Sequence, residues 1–233
     1  MHKRQPSERP LLAVLIDADN LNAHLAEPIL TEVTNIGEPA LRRVYGDWTD
    51  PKLKHWSEKL LSLGLVAIQA SANTKSKNAS DIRLVIDAMD ILHDGQFDGF
   101  VIVSSDSDFT ALANRLREAG KLVICIGEEK TPASLRNVVN RFILIENIDA
   151  TSTKDSPPAQ HPKAALGLVK QAMAKMEPDD DWYALGLLGQ TIRASHPDFD
   201  TRTYGCVKLS TLVQSVPKLE YRQLGSGWVR LKK

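Results

Sequence analysis

The chain has 233 residues and a formal net charge of zero at pH 7, and 42% of its residues are hydrophobic and 25% charged. These values are typical of a globular protein with one large or two small domains. No run approaches the roughly 18 apolar residues of a membrane-spanning helix, so the sequence predicts no membrane-spanning segment. We expect a cytoplasmic protein without a membrane partner.

The charges are divided unevenly along the chain. Residues 1–150 carry 17 basic and 21 acidic side chains, whereas residues 151–233 carry 12 basic and 8 acidic ones. The acidic first part and the basic second part predict different partners for the two parts of the chain.

The cysteines and the first residues give no sign of secretion. Cys125 lies in an apolar run and Cys206 in a helical pattern, and this pair supplies neither a disulfide framework nor the spacing of a metal site. We expect both to be small core residues. The run "LLAVLI" before Asp17 follows a basic start, but six residues are too few for the apolar segment of a signal peptide.

Short β-rich runs alternate with helical patterns over the first 150 residues. The predicted strands are 11–17, 41–48, 64–70, 99–105, 122–127 and 141–147. The predicted helices are 20–35, 52–63, 80–94, 108–119 and 132–140. Strands that are apolar on both faces, with helices between them, predict a Rossmann-like α/β fold with a parallel sheet covered on both sides.

The chain changes character after residue 150. Residues 151–162 are rich in proline and polar side chains, and we interpret them as a linker between a domain at 1–150 and a domain at 163–233. The second domain shows three helical patterns followed by two short strands, "KLEYRQ" and "GWVRLKK". This order predicts a small winged-helix α+β domain.

Acidic residues follow two of the predicted strands. The first strand ends in Asp17, with Asn20 close behind, and the fourth ends in "SSDSDF", which contains Ser104, Ser105, Asp106 and Asp108. Ligands of open α/β sheets lie beyond the carboxyl ends of the strands. If these two strands are neighbours, their carboxylates converge and repel one another. Mg²⁺ or Mn²⁺ relieves such repulsion and prefers oxygen ligands.

The helix predicted at 80–94 adds a third acidic contributor. Counted at 100° per residue, Asp81 falls on the apolar side, and we interpret it as a site residue rather than only a partner of the helix dipole. Asp87 falls in the polar stripe, and we expect it at the surface. Ahead of this helix, Lys75 and Lys77 lie in a polar loop, from which they are candidates to hold phosphate.

Two simpler interpretations of these polar residues stay open. Ser105 and Asp108 have the spacing of a capping box, so part of "SSDSDF" can serve only to begin a helix. The "DAD" run at the end of the first strand and "VIVSS" in a later strand also resemble the first two motifs of a haloacid-dehalogenase-type phosphatase, in which the first Asp, here Asp17, is the nucleophile and the second, Asp19, is the general acid. Asn20 and the "GEEKT" stretch match that family poorly.

Four stretches closely resemble the NYN domain, in its LabA-like (DUF88) branch. They cover nearly all of residues 11–147 and are "LIDADNLN", "TKSKNASDIRLVIDAMDIL", "DGFVIVSSDSDFTALANRLREAGK" and "GEEKTPASLRNVVNRF". The resemblance implies a PIN-like fold with an acidic pocket that holds Mg²⁺ or Mn²⁺ and, in several members, cleaves RNA.

Carried over to this chain, the resemblance implies that the acidic site residues are Asp17, Asp81, Asp106 and Asp108, with Asn20 beside Asp17. Asp87 also matches an acidic position of the family. Many NYN sequences have Ser-Gly-Asp where this chain has Ser-Ser-Asp at 104–106, so Ser105 either narrows the site or adds a ligand.

Residues 162–231 resemble the OST-HTH/LOTUS domain, most specifically in "FDTRTYGCVKLSTLV". Members of that family bind RNA or protein partners. The side chains that suit phosphate contact or base stacking are Arg202, Tyr204, Lys208, Arg222 and Arg230. For Tyr204 and Trp228 a place in the core is the alternative that we favour, and Trp182 is expected to anchor the start of the second helix of this domain.

Taken together, the sequence predicts a metal-dependent ribonuclease with a carboxy-terminal RNA-binding domain. The main alternative is a non-catalytic regulator that binds RNA or recruits protein partners through a vestigial site.

Overall fold

The structure is a computed structural model that describes residues 9–70, 78–149, 160–225 and 227–232. The chain divides into two compact units, Met1–Asp149 and Ala150–Lys233, and each is described by itself. Most of the predicted linker lies outside the described residues. Within the described ranges, no helix is both long enough and apolar enough to cross a membrane.

The first unit is built on a six-stranded sheet in which every neighbouring pair is parallel. The strands lie in the order β3-β2-β1-β4-β5-β6. Their bounds are β1 Leu11–Asp17, β2 Glu38–Gly46, β3 Val66–Gln69, β4 Gly99–Val103, β5 Leu122–Gly127 and β6 Arg141–Leu144. The predicted parallel α/β fold is therefore confirmed.

Strands β1 and β4 are neighbours in the centre of this sheet. Leu12 pairs with Gly99 and Ile16 pairs with Val103, and both strands are buried over nearly their whole length. The connections run in opposite directions on the two sides of this pair, so the crevice beyond β1 and β4 is the switch point at which α/β sheets bind ligands.

Helices cover both faces of the sheet. Their bounds are α1 Ala26–Ile36, α2 Lys54–Leu60, α3 Ala79–Asp94, α4 Thr110–Glu118 and α5 Ala133–Arg136. One buried cluster joins α1 and α2 to the sheet through side chains such as Val33 and Trp56. A second cluster joins α3 and α4 to the opposite face through Leu84 and Leu116. Both faces are thus closed to water, which explains the continuous apolar runs of the central strands.

Several predicted elements are shorter in the structure than in the sequence pattern, and two helices show the reason. The helix predicted from residue 20 begins at Ala26, because the Asn22 side chain accepts a hydrogen bond from the His24 amide and caps a 3₁₀ turn at Ala23–Leu25. The helix predicted at 132–140 ends at Arg136. Asn140 instead exchanges two hydrogen bonds with Val123 at 2.8 and 2.9 Å, which fixes the residues before β6 in a turn.

The prediction that Asp87 lies at the surface is wrong. Asp87 is only 7% exposed, and it accepts hydrogen bonds from Arg43, at 2.5 Å, and from the buried Tyr45 hydroxyl. The buried stripe of α3 contains Leu84, Ala88 and Ile91, and Asp87 lies at its edge over β2. Helical periodicity groups Asp87 with the solvated acids of α3. It cannot show that Asp87 is buried, because both of its partners are more than 40 residues earlier in the chain.

The described residues of the second unit form three α-helices and a small antiparallel sheet. The helices are α6 Leu166–Met173, α7 Leu185–Ser195 and α8 Leu209–Gln214, and the strands are β7 Tyr183–Ala184, β8 Leu219–Arg222 and β9 Trp228–Leu231. Strand β9 lies between β7 and β8. The predicted order of three helices and a hairpin is confirmed, whereas the two-residue strand β7 was not predicted from the sequence.

Both cysteines are free and buried, as predicted. Cys206 is not helical, however, because Gly205 adopts a left-handed conformation with φ of 70° and ends the 3₁₀ turn Thr201–Tyr204 before α8 begins. A side chain at position 205 would be strained at that φ, so the turn between these two elements depends on the glycine.

We expect the substitution Asp87→Ala to destabilise the first unit. It leaves the buried Tyr45 hydroxyl and the half-buried Arg43 guanidinium without their acceptor, and loss of these hydrogen bonds costs about 2 kcal/mol. The free energy of unfolding, measured in urea by circular dichroism, should fall by about this amount. Asp90→Ala, at an exposed position of the same helix, should change it by less than about 0.5 kcal/mol. Equal effects of the two substitutions would contradict the role of Asp87.

Candidate functional site

Asp17 forms the floor of the crevice at the end of β1. Its carboxylate is buried and accepts hydrogen bonds from the Asn20 amide at 2.9 Å and the Ser104 hydroxyl at 3.0 Å. Its other oxygen accepts from the Asp19 amide, a local turn that ends the strand. Burial raises the pKa of Asp17, and the bonds from Asn20 and Ser104 oppose that rise. The segment that follows β1 and the segment that follows β4 therefore both hold the Asp17 carboxylate in one orientation.

The end of β4 continues this hydrogen-bonded chain. The Asp106 amide donates to Ser104 Oγ at 3.2 Å, and the Ser104 hydroxyl donates in turn to Asp17. The Asp106 carboxylate accepts from the Asp108 amide at 2.9 Å and caps the 3₁₀ turn Ser107–Phe109. The two strand ends are thus joined by side-chain bonds as well as by the sheet.

The predicted capping pair of Ser105 and Asp108 does not form. Asp106 provides the cap instead, with one of its oxygens. Ser105 Oγ accepts a hydrogen bond from the Glu128 amide at 2.9 Å, which ties the loop after β5 to the end of β4. Helix capping therefore occupies one oxygen of the Asp106 carboxylate and does not involve the Ser105 side chain.

Asp81 comes to the same edge of the sheet from the first turn of α3. It is 9% exposed, and its buried Oδ1 atom has no hydrogen-bond partner among the described residues. Burial raises the pKa of Asp81 to about 6, and the negative charges of Asp17, Asp106, Asp108 and Asp19 add to the rise. Coulomb repulsion weakens with distance and screening, so acids that raise the pKa of Asp81 must lie near it. We therefore treat these carboxylates, which come from three segments, as one acidic group.

The chemistry of this group fits a hard divalent cation. All of its donors are oxygens, and the mutual repulsion is of the kind that Mg²⁺ or Mn²⁺ relieves. In the ranges that the structure describes, one buried carboxylate oxygen also lacks a hydrogen-bond partner. In the part of the chain that the structure describes, no three His, Cys, Asp or Glu side chains stand as a preformed metal-binding group.

A cavity of about 370 Å³ adjoins the acidic group. It is lined by Asn20, Ser105, Asp106, Ser107, Lys130 and Pro132. Lys130 was not predicted from the sequence as a site residue, although its position just after β5 places it at the same edge of the sheet as the acids. The predicted phosphate-binding residues Lys75 and Lys77 lie outside the described residues.

The candidate RNA-binding residues near α8 differ in their accessibility. Tyr204 is buried in the core of the second unit, as favoured from the sequence. Arg202 forms an ion pair with Asp200 at 2.6 Å. Lys208 is exposed at the position before α8. Of these three side chains, Lys208 is the one most accessible to a phosphate.

The two remaining candidates stack on a tryptophan. Arg222 lies 4.2 Å and Arg230 4.5 Å from the centre of the Trp182 ring, and Arg230 also donates to Glu220 at 2.8 Å. Trp182 is buried. Trp228 is only half-buried and lies outside the core cluster, contrary to expectation, because its neighbour Val229 is the β9 side chain that enters the core.

The comparison with solved structures supports the fold alone. A crystal structure of a protein of unknown function from Vibrio parahaemolyticus is 22% identical, with a TM-score of 0.51 over 61% of this chain and 96% of that chain. A formyltetrahydrofolate deformylase from Pseudomonas putida is 12% identical, with a TM-score of 0.31 over 48% of this chain and 37% of that chain, which is too low to carry an argument. No curated protein matches the sequence.

Two family models match the chain. The NYN domain model matches residues 11–146, which include β1 to β6 and every member of the acidic group. The OST-HTH/LOTUS domain model matches residues 156–229, which include the three helices and most of the small sheet of the second unit. The chain therefore belongs to the NYN domain family and carries a carboxy-terminal OST-HTH/LOTUS domain.

Proposed function

We propose that this protein is a metal-dependent ribonuclease of the NYN family. The observation that carries the proposal is the buried Asp81 carboxylate, one oxygen of which has no hydrogen-bond partner among the described residues and whose pKa is raised to about 6 by burial and by acids from two other segments. Buried carboxylates that repel one another are unfavourable for folding, and they are arranged in the crevice where α/β sheets bind their ligands. A functional role accounts for an arrangement that stability alone would disfavour.

Asp17, Asp81, Asp106 and Asp108 are the residues that would hold the cation. When bound, Mg²⁺ or Mn²⁺ supplies Lewis-acid stabilisation of negative charge on phosphate oxygens. Asn20 and Ser104 keep the Asp17 carboxylate in place, and Asp106 is oriented by its bond to the Asp108 amide. We expect hydrolysis to leave 5′-phosphate and 3′-hydroxyl ends.

The OST-HTH/LOTUS domain, at 163–233 in this proposal, captures RNA for the NYN domain at 1–150. OST-HTH/LOTUS domains bind RNA, and this part of the chain is the one with an excess of basic side chains. Tethering the two domains through residues 151–162 raises the effective concentration of RNA at the acidic site. The LabA-like branch of the family stays a prediction, since the family match extends to the NYN domain as a whole.

We expect Asp106→Asn to lower RNA cleavage at least about 100-fold in Mg²⁺ or Mn²⁺, because it removes one charged ligand and weakens metal-dependent charge stabilisation. The measurement is cleavage of end-labelled RNA by the full chain, with and without EDTA, and EDTA should abolish it. Asp90→Asn, an exposed acid of α3, serves as the matched control and should cleave as the wild type does.

Two results would contradict the proposal. Equal cleavage by wild type and Asp106→Asn would mean that a contaminating nuclease is responsible. RNA binding without turnover under every metal condition would identify the alternative predicted from the sequence, a non-catalytic RNA-binding or partner-recruiting regulator. The match of residues 11–146 to the NYN domain favours the ribonuclease over the phosphatase alternative.

We expect Asp81→Asn to stabilise the metal-free protein at pH 7.5 but not near pH 4. The pKa of Asp81 is about 6 in the folded state, above the ordinary aspartate value of 3.8, so the folded state binds the proton more tightly than the unfolded state does. The wild type is therefore relatively stable at low pH and loses stability as pH rises from about 4 to about 6. This loss lowers the free energy of unfolding of the wild type by up to about 3 kcal/mol.

Thermal unfolding in EDTA at the two pH values measures this effect. Mg²⁺ should then raise the melting temperature of the wild type at pH 7.5 more than that of Asp81→Asn, because the variant lacks one of the repelling ligands. A variant that is less stable than the wild type at pH 7.5 in EDTA would refute the electrostatic account of the site.

A further inference from the structure

Lys130 is the one cationic side chain among the described residues that line the cavity beside the acidic group. Two hydroxyls, of Ser105 and Ser107, and the Asn20 amide line the same cavity. RNA is a polyanion, and the neighbouring carboxylates repel it. A cation and hydroxyl donors at this position offset that repulsion for a phosphate that enters the cavity.

The loop that carries Lys130 is fixed by the end of β4. At Gly127 the chain passes so close to Ser104 that a Cβ atom would lie 2.9 Å from the Ser104 carbonyl oxygen and 2.8 Å from the Thr131 hydroxyl. The next amide, that of Glu128, donates to Ser105 Oγ. The Glu128 carbonyl then accepts from the Thr131 amide and hydroxyl. The backbone on both sides of Lys130 is thus held against the segment that contains Asp106.

The Lys130 side chain, in contrast, is accessible. It is 74% exposed, and its ammonium group lies 2.5 Å from the Glu128 carboxylate. An exposed ion pair of this kind contributes little to stability. A phosphate oxygen can therefore replace the Glu128 carboxylate as the partner of Lys130 at small cost, and it gains a charge-assisted hydrogen bond in a fixed position.

We infer that Lys130, with the hydroxyls of Ser105 and Ser107, forms a subsite that binds a phosphate of the RNA chain adjacent to the phosphodiester at the acidic group. The inference rests on the proposed function and adds a specific substrate contact to it. It also gives Ser105 two tasks, since its hydroxyl both fastens the lysine-bearing loop and lines the cavity. Lys130 is a substrate-positioning residue. Its contact with the phosphate is equally strong in the bound substrate and in the transition state.

Kinetics of the full chain test this subsite. Lys130→Gln should raise the KM for a short RNA about tenfold and change kcat by less than about threefold, because the lost contact is uniform binding. Lys130→Arg keeps the charge and should recover most of the affinity. Arg115→Gln is the matched control: Arg115 is also exposed and paired with a glutamate, but it lies on α4 and does not line the cavity.

A binding measurement separates this inference from the proposed function. Uridine 3′,5′-bisphosphate carries two phosphates and no phosphodiester, so its affinity in Mg²⁺, measured by calorimetry, does not require turnover. Wild type and Arg115→Gln should bind it equally, and Lys130→Gln about tenfold more weakly. This result would support the subsite even if no cleavage occurred.

Three outcomes would overturn the inference. They are equal KM and equal bisphosphate affinity for wild type and Lys130→Gln, a fall in kcat with unchanged KM, and absence of bisphosphate binding by the wild type. If the wild type cleaves RNA in any of these cases, the ribonuclease proposal survives and only the Lys130 subsite fails.

Discussion

The repulsion among the carboxylates at the end of the central strand pair is the constraint on which the rest of the first unit depends. Parallel pairing of β1 with β4 places Asp17 beside the segment that carries Asp106 and Asp108, and α3 adds Asp81 from above the sheet edge. Like charges raise one another's pKa values, so the fold must hold them together by other means. The bonds from Asn20 and Ser104 to Asp17 are part of those means.

The hydrogen bonds around Asp87 also help to hold the repelling carboxylates together. Asp87 accepts hydrogen bonds from Arg43 and Tyr45 on β2, and it lies six residues after Asp81 on the same helix. This anchor fastens α3 to the sheet below its first turn, where repulsion acts on Asp81. Tyr45 is also the β2 residue that pairs with Asp17, so one strand supports the floor of the site and the helix that covers it. The Tyr45 pKa is raised, first by burial and then by Asp87, so the hydroxyl remains a donor.

The fold and the acidic group could be predicted from sequence because their signals are local. Apolar runs that end in acids mark the strands and the switch point, and Asp81 stands among the apolar positions of its helix. The failures concern residues whose environment is set by distant segments. Asp87 has the periodicity of a surface residue, and only its contacts with β2 explain its burial. Lys130 lies in a stretch that resembles the NYN domain, but nothing in that stretch marks it as a phosphate contact, and its place depends on the close approach of Gly127 to Ser104.

The second unit shows the same limit in its basic residues. Net charge and aromatic content predicted an RNA-binding wing, but Arg222 and Arg230 both stack on Trp182. A guanidinium that packs on an indole ring has part of its surface covered, and it must keep that contact or rearrange in order to meet a phosphate. The Arg222 Nε atom is buried and has no hydrogen-bond partner among the described residues. The two arginines therefore pack on Trp182 in the first place, and the exposed Lys208 is more accessible than they are to a phosphate in the proposed RNA binding.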